Sequence, residues 1–526
     1  MHKYKIFFLL FCGFILLLLW SSFPILFENN DDQVMFAVSS GIFTHNLSPN
    51  LVLSHVFIGK LLNTLFAISA SFNFYTLYLE LVLASCFFGI CYLIFNEKSI
   101  RYYQQIGYLF YIFSGFLVLL VVKIQFTTVA IFCVATALLG LQSHLNTKTK
   151  FLFSFIFVLL ACLIRKESFY IFLLLVIPVF FEQTAAHKKT MLLFISVTIF
   201  SFLVLNFINS QHPTYKTEQT YYKIETIDRI AAKPVSIDTI KIKQYGFIPE
   251  EIQLIQSWLL LDDGHFNQNK LGNLAQSIKA NRTTKEFQSV IKKLLSDERY
   301  SLFLLGISLL FVWYVHPPKR KFVLFNMVAV IGFFLYLLYT SRLPFRVSFP
   351  VLTYLNILNV FYIIKSEKKR QYKNVALAFF LVLSSYKLYC TLSYYSIHQQ
   401  RQHHFEQVIS EINTHPNSLF IALDGFPFQD MNAWKSPESF FKHHNILFNG
   451  WYAGTPDYTT LMQQHQLRNL TIDLLKMPTV LFLTNDAYLL QLYQQTMLKK
   501  YKIKCHFEPV NTGYSAWQPK RLIFEN

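Results

Sequence analysis

Lys3 to Gln33 reads KYKIFFLLFCGFILLLLWSSFPILFENNDDQ. Two lysines precede an apolar run from Ile6 to Phe27, and an acidic cluster follows at once. A bilayer core takes about 20 apolar residues per helix, so this run is long enough to cross. The lysines look like the head of a secretory signal, but no small-residue cleavage site follows. The run is therefore expected to stay as a first span. Composition agrees with a membrane protein: of 526 residues, 53% are hydrophobic and 14% charged, with 56 Phe and 30 Tyr. A soluble chain carries roughly a quarter charged residues. Mean hydropathy is only +0.36 because long polar segments dilute the average.

Further apolar runs lie near 73–95, 105–122, 125–142, 151–164, 168–182, 190–209, 300–316, 322–340, 348–364 and 374–394. With the first, they predict a mainly α, polytopic helical membrane protein of about eleven spans. The short runs 151–164 and 168–182 could form a broken or re-entrant pair. Positive charge orients the set. With a cytoplasmic N-terminus, every inner loop is basic: Lys98/Arg101, Lys148/Lys150, Lys188/Lys189, Lys319/Arg320/Lys321 and Lys365/Lys368/Lys369/Arg370/Lys373. Cytoplasmic loops carry such an excess. It accounts for the net charge of +18 without nucleic acid as a partner.

The segments 28–72, 210–299 and 395–526 then face outward. The first shows helical spacing over Val34–Phe43 and Leu51–Ala67, broken at Ser48-Pro49-Asn50. Its Val52, Val56, Ile58, Leu61, Leu62 and Leu65 could form an apolar face lying on the membrane. The second is a polar insert with helical patterns at Pro249–Leu261 and Thr284–Ser296. The chain divides into a membrane core, 1–394, and an extracytoplasmic α/β domain, 395–526. In the latter, strands are expected at Leu419–Leu423, Val480–Leu483, Tyr501–Phe507 and Arg521–Phe524, with helices at His403–Asn413 and Tyr488–Lys500. Six of the seven cysteines lie in apolar runs, so no disulfide framework is implied.

Asp31 and Asp32 follow the first span. A carboxylate there could act as a general base on an acceptor hydroxyl or hold a divalent cation. From the residues alone, a solvated helix start with an aspartate cap is the simpler reading. Arg165-Lys166-Glu167 and the pair Arg342/Arg346 place cations on the outer side, where the topological rule disfavours them. Arg suits bidentate phosphate binding; the alternative is snorkelling to headgroups. Glu80 lies inside the second span, either as a functional carboxylate or as a partner for a base such as Lys123. Asp262-Asp263-Gly264-His265 reads as a solvated turn. His403-His404 and His443-His444 lack metal-ligand spacing, so no zinc site is expected. No phosphate-binding or dinucleotide glycine motif and no nucleophile elbow is present, which removes support for a cytoplasmic ATPase or a serine hydrolase.

The order of these pieces resembles the GT-C superfamily of membrane glycosyltransferases, in which the first span leads into an outer loop with an acidic residue and two amphipathic helices. Asn29–Tyr78 is more closely similar to a group of poorly characterised bacterial multi-span proteins, through Asp31-Asp32, Gly41, Ser48-Pro49 and Gly59. Also similar are Gln125-Phe126-Thr127-Thr128, Leu163–Glu167 and Arg342–Arg346. The resemblance covers the membrane core to about residue 365, not the tail. It implies transfer of a sugar from a polyprenyl-phosphate carrier to an acceptor outside the cytoplasm. Asp31 or Asp32 would be the base, and Arg165, Lys166, Arg342 and Arg346 would hold the lipid phosphate; Glu80 and Glu167 are further candidates. The large insert at 210–299 departs from the better-known branches.

The leading expectation is thus an enzyme of the bacterial inner membrane, with membrane lipid, a polyprenyl-phosphate-linked sugar and a glycan acceptor as partners. A divalent cation at Asp31/Asp32 is the one cofactor the residues could hold. Two rivals use the same residues: a transporter or flippase contacting substrate through Glu80 and the outer arginines, and a non-catalytic envelope assembly protein acting through its tail.

Overall fold

The computed structural model describes residues 2–44, 46–211, 226–228, 230, 239–261, 268–277, 284–340, 343–366, 370–423, 430–440, 445–477, 479–484, 486–510 and 519–525. Eleven apolar helices answer to the eleven expected runs: His2–Ser22, Phe74–Phe95, Tyr102–Val122, Phe126–Leu141, Thr147–Ile164, Ser168–Glu182, Ala185–Gln211, Arg299–Val315, Arg320–Thr340, Phe345–Lys365 and Arg370–Leu392. Among the described residues, eight helices are long and apolar enough to cross a bilayer unaided. The protein is a multi-pass, mainly helical membrane protein.

Thr147–Ile164 has 18 residues and is long and apolar enough to cross on its own, while Ser168–Glu182 is shorter. Among the described residues, a sharp bend of 77° at a short break lies between Ile291–Asp297 and Arg299–Val315.

The Phe126–Leu141 helix is the axis of the core. All of its 16 residues are buried, and it packs against the helices 74–95, 147–164, 168–182 and 345–365. An all-apolar circumference demands neighbours on every side. At 1.5 Å per residue, 16 residues reach roughly 24 Å, short of the ~30 Å hydrocarbon layer. The N-terminal end of this helix is buried rather than exposed.

At one end of the bundle the loop cations are tied into the fold. Lys319 pairs with Glu182, whose other oxygen accepts from Tyr362 at 2.8 Å. Lys5 donates to the Phe95 carbonyl at 2.7 Å, Lys365 to Gln142 and Lys373 to Ile364 at 2.7 Å. These are the lysines the charge pattern assigned to one side.

The outer segment 28–72 departs from expectation in detail. Its helices are Asn30–Ser40 and Val56–Ile68. The first ends at Gly41, whose φ of 72° is the left-handed cap glycine favours. The face expected to lie on the membrane is split: Val52, Val56, Ile58 and Leu62 are buried, while Leu61 is exposed together with Phe57 and Ile68. Ser48-Pro49 crosses the second helix at Gly59, so closely that a Cβ there would lie 2.0 Å from the Pro49 carbonyl oxygen.

The tail carries a five-stranded sheet in the order β4-β3-β5-β7-β6. β3 (Leu419–Ala422), β4 (Ile446–Phe448) and β5 (Val480–Leu483) are parallel, while β6 (Cys505–Pro509) and β7 (Lys520–Phe524) add on antiparallel. Strands at 419–422, 480–483 and 520–524 match the expectation. β4 was not foreseen, and β6 starts four residues later than expected because Met497–Tyr501 continues the preceding helix as a wide turn. Helices Tyr395–Thr414 and Ala487–Thr496 also match. In the insert, Pro249–Gln256 and Thr284–Asp297 are helical as read. Asp262–His265, His443 and His444 lie outside the described residues.

The tail is docked on the outer loop. Asn73 donates to the Ala433 carbonyl at 2.7 Å, and the Ala433 N–H donates to Ile25 O at 2.9 Å. Phe43 packs against Phe448 and Tyr452, and Lys500 pairs with Glu251 of the insert. Overpacking a tight crossing costs about 1–3 kcal/mol. Gly59→Ala is accordingly expected to lower the melting temperature of the detergent-solubilised protein. An unchanged melt would show that the Ser48-Pro49 crossing yields freely.

Candidate active site

The site is built where four chain segments meet. β1 (Leu26–Phe27) pairs in parallel with β2 (Lys123–Ile124), and the Glu28 N–H donates to Ile124 O at 3.1 Å. This two-residue ladder sets the start of one helix beside the start of another. Asn29 caps the acidic helix, its Oδ1 accepting the Asp31 N–H at 3.3 Å. Gln125 caps the central helix, its Oε1 accepting the Thr128 N–H at 2.8 Å. Asn and Asp prefer these cap positions because a short side-chain acceptor reaches the unpaired N–H groups.

Asp32 occupies the buried end of the central helix. Its Oδ1 accepts the Phe126 N–H at 3.0 Å and the Tyr75 hydroxyl at 2.9 Å. A helix N-terminus carries partial positive charge, which favours an anion there. The residue is fully buried, and Oδ2 has no hydrogen-bond partner among the described residues. Burial pushes this carboxyl well above the usual carboxylate range, against the pull of the Phe126 N–H and Tyr75 hydroxyl.

Asp31 faces a different partner. Its Oδ2 pairs with Arg346 Nη1 at 2.7 Å, with both side chains less than one-seventh exposed (12% and 13%). The Arg346 carbonyl accepts from Thr128 Oγ1 at 3.2 Å. Arg165, at the end of the 147–164 helix, donates to Thr127 Oγ1, lies over the Phe126 ring and pairs with Glu167 at 3.2 Å. The turn Gln125–Thr128 is therefore the hub joining Asp32, Arg165 and Arg346.

Several expectations change here. The aspartates are not a solvated helix start: Asn29 is the cap, and both aspartates are buried in the first turn. Arg165 and Arg346 do not snorkel, since each is held by a carboxylate within the protein. Lys166 is half-buried in the same turn as Arg165. Arg342 lies outside the described residues. Glu80 is buried in the 74–95 helix beside Trp20 and makes no ion pair with Lys123. Lys123 instead lies over the Tyr394 ring, within electrostatic reach of Glu28.

Glu28 was not singled out from the sequence, because it reads as the last residue of an apolar run. It is half-buried between two cations. Burial pushes its carboxyl up to about 7, although Arg346 and Lys123 pull it down. Glu298, fully buried and bonded by the Ser348 hydroxyl, was likewise missed. Tyr75 could not have been found, since its link to Asp32 joins residues 43 positions apart.

The donor set does not fit a resident divalent cation at Asp31/Asp32. The Arg346 guanidinium already neutralises Asp31. Among the described residues no group of three or more His, Cys, Asp or Glu side chains has metal-binding geometry. What the site offers is one buried carboxylate, with an oxygen that has no hydrogen-bond partner among the described residues, on the same turn as Arg165 and Arg346.

A solved structure, ArnT from Cupriavidus metallidurans bound to undecaprenyl phosphate, is similar to this chain over 98% of its length and 97% of that chain, at 9% sequence identity and a TM-score of 0.42. No family model matches the chain, and no curated protein matches it in sequence.

Proposed function

We propose that this protein is an integral membrane glycosyltransferase that moves a sugar from a polyprenyl-phosphate donor to a glycan or lipid acceptor at the extracytoplasmic face of the inner membrane. The observation that carries the reading is that Asp32, whose Oδ2 has no hydrogen-bond partner among the described residues, Arg165 and Arg346 all bond to one four-residue turn, Gln125–Thr128. The motif resemblance, which named these same residues, supports it. The gathering of loop lysines at the opposite end supports a cytoplasmic N-terminus and an outer tail.

In this reading an acceptor hydroxyl attacks the anomeric carbon of the donor sugar. The new bond forms from the hydroxyl oxygen as the bond from carbon to phosphate oxygen breaks. The hydroxyl proton passes to Asp32 Oδ2, and the bonding pair leaves with the lipid phosphate. A base with a raised value is the more effective acceptor once ionised. Arg346 and Arg165 stabilise the phosphate oxygen on which charge grows, and their low exposure strengthens that interaction. Asp31 holds Arg346 in place before donor arrives.

Asp32→Asn keeps the shape and the Phe126 and Tyr75 contacts but cannot take a proton. Transfer should fall by about 10²-fold or more, while the melting temperature at neutral pH holds or rises, because an anion is no longer buried. Loss of fold together with activity would mark Asp32 as structural. Mass spectrometry of lipid-linked and acceptor glycans reads the first quantity.

Glu28 gives a pH signature. Above about 7 its carboxyl is ionised beside Arg346 and Lys123 and competes with donor phosphate for those cations. Donor KM should therefore rise as pH passes upward through that value, and Glu28→Gln should flatten the rise. The same shift has a sign for stability. The folded form binds the proton more tightly than the unfolded chain, so stability falls as pH climbs from the ordinary 4.5 to about 7. A donor KM with identical pH dependence in wild type and Glu28→Gln would remove Glu28 from the site.

A further inference from the structure

The insert ends in a corner. Its last helix, Thr284–Asp297, meets the span Arg299–Val315 at Glu298, and the stretch Ile291–Asp297 lies at 77° to that span. The backbone is satisfied on both sides of the bend. The Glu298 N–H donates to Leu294 O and the Leu302 N–H donates to Glu298 O, each at 2.9 Å. The Glu298 side chain makes no cap bond to the helix it opens. It is 1% exposed. A buried carboxyl is costly unless something bonds to it, so its partner is informative.

That partner lies on another helix. The Ser348 hydroxyl donates to Glu298 Oε1. Its own helix offers the Pro344 and Phe345 carbonyls only at 3.5 Å and 3.4 Å, so the single hydroxyl proton is best placed on Glu298. Ser348 belongs to the first turn of Phe345–Lys365, the helix that carries Arg346. This helix starts after Pro344 without a side-chain cap, and the Val347 and Ser348 N–H groups fold back to Pro344 O at 2.9 Å and 3.1 Å. An uncapped start leaves N–H groups unpaired and favours an anion beside it. Glu298 supplies a carboxyl there.

Two contacts therefore hold the turn. Thr128 of the central helix donates to Arg346 O at 3.2 Å, and two residues further on Glu298 accepts from Ser348. Farther along, the same two helices are joined separately. Asn356 Nδ2 donates to Ser301 O at 3.2 Å, and Asn359 Nδ2 donates to Ser308 Oγ at 2.9 Å. Loss of the Glu298 carboxyl thus loosens the first turn and leaves the helix pair together. Arg346 lies inside that turn, and its guanidinium reaches Asp31 at 2.7 Å. A misplacement of about 1 Å at a reacting centre can cost on the order of 100-fold.

We infer that Glu298 is a positioning residue: through Ser348 it fixes the first turn of Phe345–Lys365 and so places the Arg346 guanidinium for the donor phosphate. The part played by the phosphate rests on the function proposed above, whereas the hold on the turn does not. The insert thereby reaches the site.

The test uses the full chain in lipid nanodiscs. Hydrogen exchange over residues 343–349 is read first, without ligand. Glu298→Ala and Ser348→Ala should each speed exchange there by about tenfold, the loss of one hydrogen bond. Glu298→Gln keeps an acceptor oxygen for Ser348 and should exchange as wild type. Undecaprenyl phosphate is then added to the bilayer and its binding read by native mass spectrometry. Binding should weaken by about tenfold or more in both alanine variants and be retained in Glu298→Gln. In an Arg346→Ala background, Glu298→Ala should weaken binding no further, because its effect passes through Arg346. Wild-type exchange or wild-type binding in folded Glu298→Ala overturns the inference, and so does an undiminished loss in the Arg346→Ala background. If Glu298→Ala does not fold, Ser348→Ala decides by the same comparisons. A wild-type chain that binds no undecaprenyl phosphate overturns the donor reading and, with it, the placement for phosphate. The exchange result keeps that outcome apart from a failure of the Glu298 contact itself.

Discussion

A helix too short for the layer it occupies is the constraint on which this structure turns. Phe126–Leu141 is buried on every side, its N-terminus included. Unpaired N–H groups in such a place must find acceptors, because no bulk water is at hand. Gln125 supplies one from within the chain. Asp32 supplies another, and in doing so brings a carboxylate to a depth that carboxylates avoid. The β1–β2 ladder and the acidic helix can be read as the means of delivering that one side chain. Each has its register fixed by the need to bring Glu28 to Ile124 and Asp32 to Phe126.

Depth then decides how the two aspartates differ, although they are adjacent in sequence. Asp31 retains slight exposure and meets a guanidinium, so its charge is balanced. Asp32 meets only neutral donors, so its charge is tolerated rather than balanced. Neutral donors cannot offset desolvation as an ion pair can, and the carboxyl rises accordingly. The arrangement produces one anion that anchors a cation and one acid ready to exchange a proton, from two identical residues. The segment Met431–Lys435 bonds to Ile25, just before the β1–β2 ladder, and to Asn73.

The spans were legible because they are a matter of solvent: a run of apolar residues of sufficient length is an unambiguous signal. The loop lysines were legible for the same reason. Details governed by pairing were less so. Residues 446–448 form a strand only because the parallel strand β3 lies alongside, and three apolar residues carry no period to read. The apolar face of Val56–Ile68 was assigned to lipid because hydropathy cannot tell a lipid neighbour from a protein one. Gly59 and Pro49 decide the matter by backbone contact. At the site, Asp31, Asp32, Arg165 and Arg346 were visible as charges in unusual places. Their partners were not, since Arg346 and Asp31 are 315 residues apart. Glu28 escaped because an acid that closes a span looks like a boundary marker, and only its placement between Lys123 and Arg346 gives it meaning.

The two ends of the bundle treat charge in opposite ways, and the contrast is itself an argument about function. At the lysine-rich end, cations are consumed by structure: Lys319 by Glu182, and Lys5, Lys365 and Lys373 by backbone carbonyls. At the other end, Asp32 keeps an open oxygen, and Glu28 sits half-buried with its proton balanced near neutrality. Burying Asp32 costs stability, and the adjacent cap and ladder contacts offset that loss. A cost of this kind is what a reactive group at this end would require, and it is the ground on which Asp32, and not Asp31, is proposed as the base.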